Sequence, residues 1–380
     1  MRRSLALLLI IALVLSGCGQ TVEVEDQAYA LVLGLDARGD GGVELTIRIP
    51  RIGHSGDSDS DGKSSGRPYL VLAAAGESYA QALEQLQWSA ARELNLSHIA
   101  LIVASEALAS SAAFPRLIDS VAETRHLYTT AAFVVCSGRA RDFIEGQETI
   151  LGAHLSSEIA AMFRHYADHG YIPRASFAEL YYATHSCYSD PTAIWGFPDA
   201  GELATEDQPA AAVITDDDAR LNADTLTASS RQYRGAALFL DGRMVGRLNG
   251  SETLCLRLLT GRVTGFGYAA AGEGLNLSTL RSPVRRVRLD GDRVRLQAEI
   301  ALISEDPADP AVLRAAEQSI KRDAEALIRW CQQLRADPFA FADRAAARFA
   351  TYESWLQWNW RERYAQADVE VSVSIARGGS

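Results

Sequence analysis

Apolar and polar positions fall into blocks that switch between two periods along this chain. The first block is an unbroken apolar run over 5–15, preceded by Arg2, Arg3 and Ser4. Segments 29–34 and 43–49 then read as two strands, joined by a Gly- and Asp-rich turn over 37–42. A polar stretch at 53–67 has too little apolar content to pack and reads as a solvated loop. Segment 69–74 is a further strand. Over 78–92 the period changes, and Ala82, Leu83, Leu86 and Ala90 share one side of a helix. The alternation continues with a strand at 99–104, a helix at 114–123, a strand at 131–136 and a helix from 139. Strands alternating with helices predict an α/β domain that ends near Pro198.

The second half has a different rhythm. Segment 199–230 is acidic, holds no aromatic residue and reads as a connection, with one short strand at 211–215. From Tyr233 two hairpins are expected. Asp241-Gly242 lies between 236–240 and 244–248, and Asp290-Gly291-Asp292 lies between 284–289 and 294–303. Asp309 and Pro310 supply the N-cap and first turn of a helix that runs to about 336. A further helix is expected over roughly 339–350. Val369, Val371, Val373 and Ile375 then alternate with polar residues in a half-buried last strand. The pattern predicts a multi-domain protein of mixed α/β and α+β class. Its parts are a leader at 1–17, an α/β domain at 18–198, a connection at 199–230 and a domain of antiparallel strands plus long helices at 231–380.

The leader decides the expected compartment. Its apolar run of 11 residues is about half of what a bilayer span requires. Leu15, Ser16, Gly17 and Cys18 follow a basic start and a short apolar region, which is the pattern of a bacterial lipoprotein signal. Small residues at 16 and 17 admit the peptide to a signal peptidase, and the Cys18 thiol takes the lipid. An ordinary secretory signal with an incidental cysteine is the weaker alternative. Removal of Arg2 and Arg3 takes the net charge from −11 to −13. Anionic lipid headgroups repel so acidic a body, so the lipid is expected to hold it at the membrane.

The same charge argues against nucleic acid as a partner. With 37 basic against 48 acidic side chains, no excess of cations is available to displace phosphate counterions. Five cysteines without a C-x-x-C offer neither a zinc knuckle nor a redox pair. Asp57, Asp59, Asp61 and Gly62 open like a calcium loop, but Pro68 stands where its last carboxylate belongs. His165 and His169 are four apart without the intervening Glu of a metalloprotease helix. Gly265, Gly267 and Ala270 spell a dinucleotide-like G-x-G-x-x-A, with no clear buried strand before them. Ser60 and Lys63 form S-x-x-K inside the polar loop. Cys136 and Cys331 sit on apolar stretches and read as inert core thiols. These readings predict no catalytic residue, no metal and no cofactor. Trp355, Trp358, Trp360 and Tyr364 are the densest aromatic cluster. They cap a core between the last helix and last strand or, alternatively, present a partner or membrane-interface surface.

Taken in order, several short pieces resemble one family. They are the Cys18 lipobox, Gly34-Leu35-Asp36, the run from Leu45 to Pro50, Tyr69-Leu70-Val71-Leu72 with Gly76, Ala82-Leu83 and His98. Gly138-Arg139-Ala140 and Asp190-Pro191 follow. The run from Gly235 to Gly246 leads to Leu248, Glu252-Thr253 and Gly261. Asp337, Phe339, Phe341, Trp355, Trp360 and Gly378 close the series. The chain resembles the lipoprotein C subunit of bacterial spore germination receptors, the Ger(x)C type. The resemblance implies a non-enzymatic subunit of a nutrient (germinant) receptor, partnered by integral-membrane A and B subunits. It implies lipid anchoring on the outer face of the cell or spore inner membrane. A lipid-anchored solute-binding protein that itself captures the germinant is the alternative. Two departures stand out. Gly19-Gln20 replaces the Trp-Asp or Trp-Asn usual after the lipidated cysteine. Ala340 and Ala342 replace the glycines of a D-x-x-G-F-G pattern, which predicts a more regular helix there.

Overall fold

The computed structural model describes residues 26–51, 69–124, 127, 130–146, 155–197, 233–290 and 293–378, with backbone alone for 155–158. Leu15, Ser16, Gly17 and Cys18 lie outside the described residues. So do the polar loop with its Asp57, Asp59, Asp61, Ser60 and Lys63, and the acidic connection.

An eight-stranded sheet organises the first half. Its strands are β2 (Val32–Ala37), β3 (Val43–Pro50), β4 (Tyr69–Gly76), β6 (Leu101–Ser105), β7 (Ala132–Cys136), β8 (Thr192–Gly196), β9 (Tyr233–Leu240) and β10 (Arg243–Leu248), in the order β10-β9-β8-β7-β6-β2-β3-β4. The central strands β2, β6, β7 and β8 are parallel, and antiparallel pairs flank them on both sides. Two short strands, β1 (Gln27–Tyr29) and β5 (Glu93–Asn95), pair separately. The central strands are apolar at nearly every position because helices cover both of their faces. Phe133 and Val135 point into one core, beneath α1 (Tyr79–Ser89), α2 (Glu106–Ala109), α3 (Phe114–Ala122) and α6 (Phe177–Thr184). Val134 and Cys136 point the other way, onto α4 (Ala140–Gly146) and α5 (Leu155–Asp168). Ser78 caps α1, which begins at Tyr79, and its hydroxyl accepts from the Gln81 N–H.

The Asp241-Gly242 hairpin forms, with φ of 51° and 74° at the two turn residues, as a primed turn needs. It does not start a separate sheet, however. Although its residues lie beyond the connection, β9 pairs with β8 and extends the first sheet. The reason is that β9 is apolar on both faces. Ala237 and Phe239 enter the core shared with α3, while Ala236 and Leu238 enter the core of the second half. A strand of that kind needs a layer on each side, and only this position supplies two.

The second sheet has the order β11-β12-β13-β14: Phe266–Ala270, Glu273–Asp290, Arg293–Ser304 and Asp368–Arg377. The last strand is parallel to β13, the other pairs are antiparallel. The glycines of G-x-G-x-x-A fall in and beside β11, a strand rather than a phosphate-binding turn. β12 starts eleven residues before the expected 284, passing Pro283 through register shifts between Thr279, Arg281 and Val284. Helix α7 (Gly250–Thr260) and the 25-residue α8 (Pro310–Leu334) cover the sheet. α8 buries Leu313, Ala316, Ile320, Ala324, Leu327, Ile328 and Cys331. Asp309 caps it as expected, accepting from the Ala311 N–H at 2.7 Å.

The expected helix over 339–350 shortens to α9 (Phe341–Ala346), and the regular helix predicted from Ala340 and Ala342 is absent. Ala340 adopts φ 55° and ψ 40°, the left-handed region, and the helix begins only after it. A backbone turn imposed by the burial of Phe339 and Phe341 on both sides overrides alanine's preference for helix. Two short helices, α10 (Tyr352–Gln357) and α11 (Trp360–Ala365), precede β14.

Candidate functional site

Two buried carboxylates, Asp36 and Asp337, gather several of the sequence pieces that carry the resemblance. The first is Asp36 at the end of β2, where the carboxyl ends of β2, β6 and β7 meet. Asp36 accepts the Ala140 N–H at 2.8 Å and the Arg141 N–H at 3.0 Å, at the start of α4. Burial raises its pKa, opposed by those two N–H groups and by the Ser105 hydroxyl. Helix α4 comes close because residue 34 is glycine. A Cβ there would fall 2.6 Å from Ile144 Cδ1. Gly34-Leu35-Asp36 and Gly138-Arg139-Ala140 are thus two halves of one contact. In open α/β sheets this end of the strands commonly receives a ligand's anionic group. Here the protein's own carboxylate fills the place.

The second node joins the two halves. Asp190 and Asp337 bond reciprocally. The Asp190 N–H donates to the Asp337 carbonyl at 3.1 Å, and the Asp337 N–H donates to Asp190 Oδ2 at 2.7 Å. Arg361 reaches from α11 with a forked grip on Asp190, Nη1 to Oδ2 at 3.2 Å and Nη2 to Oδ1 at 3.1 Å. Its Nη2 also donates to Asp241 Oδ1 in the β9–β10 turn at 2.9 Å. Asp337 accepts the N–H groups of Phe341 and Ala342 at 3.2 and 2.7 Å, which caps α9. Burial pushes the Asp337 carboxyl up to about 7, with those N–H groups opposing and the Asp190 charge adding to the rise. Asp190 is raised too, by burial first, with Arg361 opposing.

A cavity of about 260 Å³ opens beside this node, lined by Asp190, Asp241, Asp337, Arg361, Trp355 and Trp360 among others. The tryptophans are its wall. Trp355 and Trp360 are 3% and 7% exposed, so they do not form the partner surface given as an alternative. Trp358 is half-buried. The three rings pack on one another at 5.8–5.9 Å between centroids, and Trp355 Nε1 donates to Cys187 Sγ at 3.2 Å. α10 and α11 have six residues each, and their indoles turn into the core, where large apolar rings usually bury. Tyr188, Tyr352 and Leu356 are the exposed apolar residues at this corner.

A larger groove, about 890 Å³, lies at the opposite, amino-terminal ends of β6 and β7 under α5. Several of its ionisable groups are engaged in the fold. Asp168 pairs with Arg174 at 2.6 Å, Glu179 closes a capping box with Ser176, and the His98 ring sits edge-on to Tyr29 at 4.5 Å. The His165 and His169 rings meet edge-on at 4.4 Å, and His169 Nδ1 donates to the Gly265 carbonyl, tying α5 to the turn before β11. Among the described residues no three or more His, Cys, Asp or Glu side chains could hold a metal ion. The Cys136 and Cys331 thiols are buried and pushed well up by burial, the opposite of what a nucleophile needs.

Asp36, Asp190 and Asp337 were each visible in the sequence as parts of the resemblance. Arg361, which grips Asp190 and Asp241, was not. Its signal is only an arginine next to Trp360, and its partners lie 171 and 120 residues away.

The family follows from comparison with known proteins. Residues 20–194 match the sequence model described as the spore germination protein N-terminal domain. Residues 234–379 match the one described as spore germination B3/GerAC-like, C-terminal. The chain belongs to the GerAC family of spore germination proteins. It is 24% identical over 394 residues to the putative spore germination protein YfkR of Bacillus subtilis (strain 168), covering 98% of this chain and 95% of that protein. It is also 28% identical over 130 residues to the spore germination protein KC of the same organism, covering 34% of this chain and 32% of the relative. The crystal structure of the GerBC protein shares the fold. The TM-score is 0.53 at 11% identity, over 91% of this chain and 97% of that one. The mixed α/β class and the two-part organisation of helices and sheets agree with that fold. Both Asp36 and Asp190 fall within the N-terminal match, and Asp241, Asp337 and Arg361 within the C-terminal one. The GerAC seam is therefore built from residues of both matched segments.

Proposed function

We propose that this GerAC-family protein is the lipid-anchored C subunit of a germinant receptor and works without catalysis, as a structural and signalling part. Lipidation at Cys18, after the recognition residues Leu15, Ser16 and Gly17, fixes it to the outer face of the cell or spore inner membrane. Its partners are the integral-membrane A and B subunits. The observation that carries the reading is the pair of family matches spanning most of the chain, in order. The use of Asp36, Asp190, Asp337 and Arg361 as internal ties supports the non-catalytic role, since these groups serve the fold.

Three measurements test it. Spores lacking the gene are expected to lose germination on at least one nutrient, and a normal response on every nutrient contradicts the proposal. Cys18→Ala is expected to move the protein from the membrane to the soluble fraction. A tagged chain recovered from spore membranes is expected to bring both integral-membrane subunits with it. The alternative, capture of the germinant by this chain, would use the groove of about 890 Å³ under α5. Calorimetry with amino acids, sugars and nucleosides decides between them, and saturable heat with any of these favours capture.

A further inference from the structure

An edge strand presents a row of unpaired backbone donors and acceptors, and proteins usually blunt such edges. Three of the four edges of the two large sheets are blunted here, each in its own way. On β14 the side chains of α8 take the outward N–H groups. Glu317 Oε1 accepts from Ile375 at 2.7 Å, and Glu325 Oε1 accepts from Val371 at 3.4 Å. β10 carries Arg243 and Arg247 and is kinked by a register shift between Met244 and Gly246. β11 has five residues, between Gly265 and Gly272, both at positive φ.

β4 has none of these devices. It is eight residues long, Tyr-Leu-Val-Leu-Ala-Ala-Ala-Gly, without a charge or a proline. It pairs with β3 over its whole length without a register shift. Among the described residues nothing bonds to its outer backbone groups. Leu70, on the strand itself, is 40% exposed, and Trp88, in the last turn of the following helix α1, is 81% exposed. Leu70 shares its sheet face with Leu72 and Ala74, which pack toward the α1 side.

We propose that β4 is a self-association edge, through which a second copy of this chain adds its own β4 antiparallel about a two-fold axis normal to the sheet. Two features select a copy of itself. The first is charge. The chain has a net charge of −11, so two copies repel overall, and β4 brings no ionised side chain to the meeting. The second is shape. The first half of β4 is bulky (Tyr69, Leu70, Val71, Leu72) and the second half is small (Ala73, Ala74, Ala75, Gly76). Antiparallel self-pairing lays each bulky half against the other copy's small half. The two-fold axis keeps both α1 helices on one side, so cross-strand partners must have equal parity. Two central registers satisfy this. In one Ala73 faces Ala73 and Leu72 faces Ala74, and in the other Leu72 faces Leu72 and Leu70 faces Ala74. Leu70 then faces Gly76 in the first register and Ala74 in the second.

Cross-linking of the full-length chain in isolated membranes tests this. Single variants Leu72→Cys and Ala73→Cys are oxidised mildly and run on a non-reducing gel, with the unmodified chain and Arg243→Cys, on the β10 edge, as controls. The expected result is a band at twice the chain's mass from one of the two β4 variants, at least fivefold stronger than from either control. No excess over the controls at both positions overturns the proposal, as does a heavier band containing a different protein. Adding Leu70→Lys, at an exposed site the fold tolerates, is expected to cut the β4 cross-link about tenfold with the thermal melt unchanged. Cross-linking that persists at full strength in that variant also overturns the proposal.

Discussion

Ala340 holds the left-handed conformation at φ 55° between two buried phenylalanines. An L-residue with a Cβ is disfavoured there by about 1 kcal/mol relative to glycine. Ala340→Gly is therefore expected to stabilise the protein by about 1 kcal/mol, read as a higher denaturant midpoint at constant slope. A few ångströms away, Asp337 gives the seam a pH dependence. Its carboxyl rises from 3.8 to about 7 on folding. The folded chain thus keeps a proton that the unfolded chain releases, and the stabilisation is full below about 3.8 and lost as pH rises through about 7. Asp190 shifts in the same direction. The melting temperature should fall between pH 6 and pH 8, and Asp337→Asn should flatten that slope. Arg361→Met leaves Asp190 buried without its forked partner, and a loss of about 3 kcal/mol is expected on denaturant unfolding.

At the scale of elements, local pattern and observed structure agree wherever one period runs long enough. α8 carries its cap, its first-turn proline and its apolar stripe in the sequence, and all three reappear. The parallel strands β2, β6 and β7 were legible as apolar runs for the same reason, whereas β8 (Thr192–Gly196) was not singled out. The misreadings cluster where a neighbour in space decides. The β9–β10 hairpin could be recognised from Asp241-Gly242, but not its sheet, because pairing with β8 depends on the two cores that β9 separates. β12 extends well before the expected 284, because register shifts carry the strand past Pro283. The tryptophans were legible as a cluster, while their burial depends on partners brought by the fold, such as Tyr188 and Phe349 against Trp355. The seam was half legible. Its carboxylates stood in recognisable pieces of sequence, and Arg361 did not.

For the whole molecule, the sheets and the matched segments divide the chain in different places. The N-terminal match ends at 194 and the C-terminal match begins at 234, yet the strands from 233 to 248 complete the first sheet. Their inner face belongs to the second core, and Asp241 at their turn is held by Arg361. Two regions sharing a strand in this way should unfold together. A single calorimetric transition, with equal calorimetric and van't Hoff enthalpies, is expected of the whole chain, and two separable transitions would contradict it.

The shared strand also sets an order of events during synthesis. A chain that emerges amino-terminus first has β8 in hand long before β9 exists, so the flank of β8 that β9 will cover is bare backbone in the interval. The nascent first sheet is a sticky intermediate that waits for its last two strands. A fragment ended at 198 should therefore aggregate when made alone. Supplied in the same cell with a second polypeptide from 231 to 380, it should be recovered as a soluble, non-covalent pair, because the missing strand arrives on the other piece.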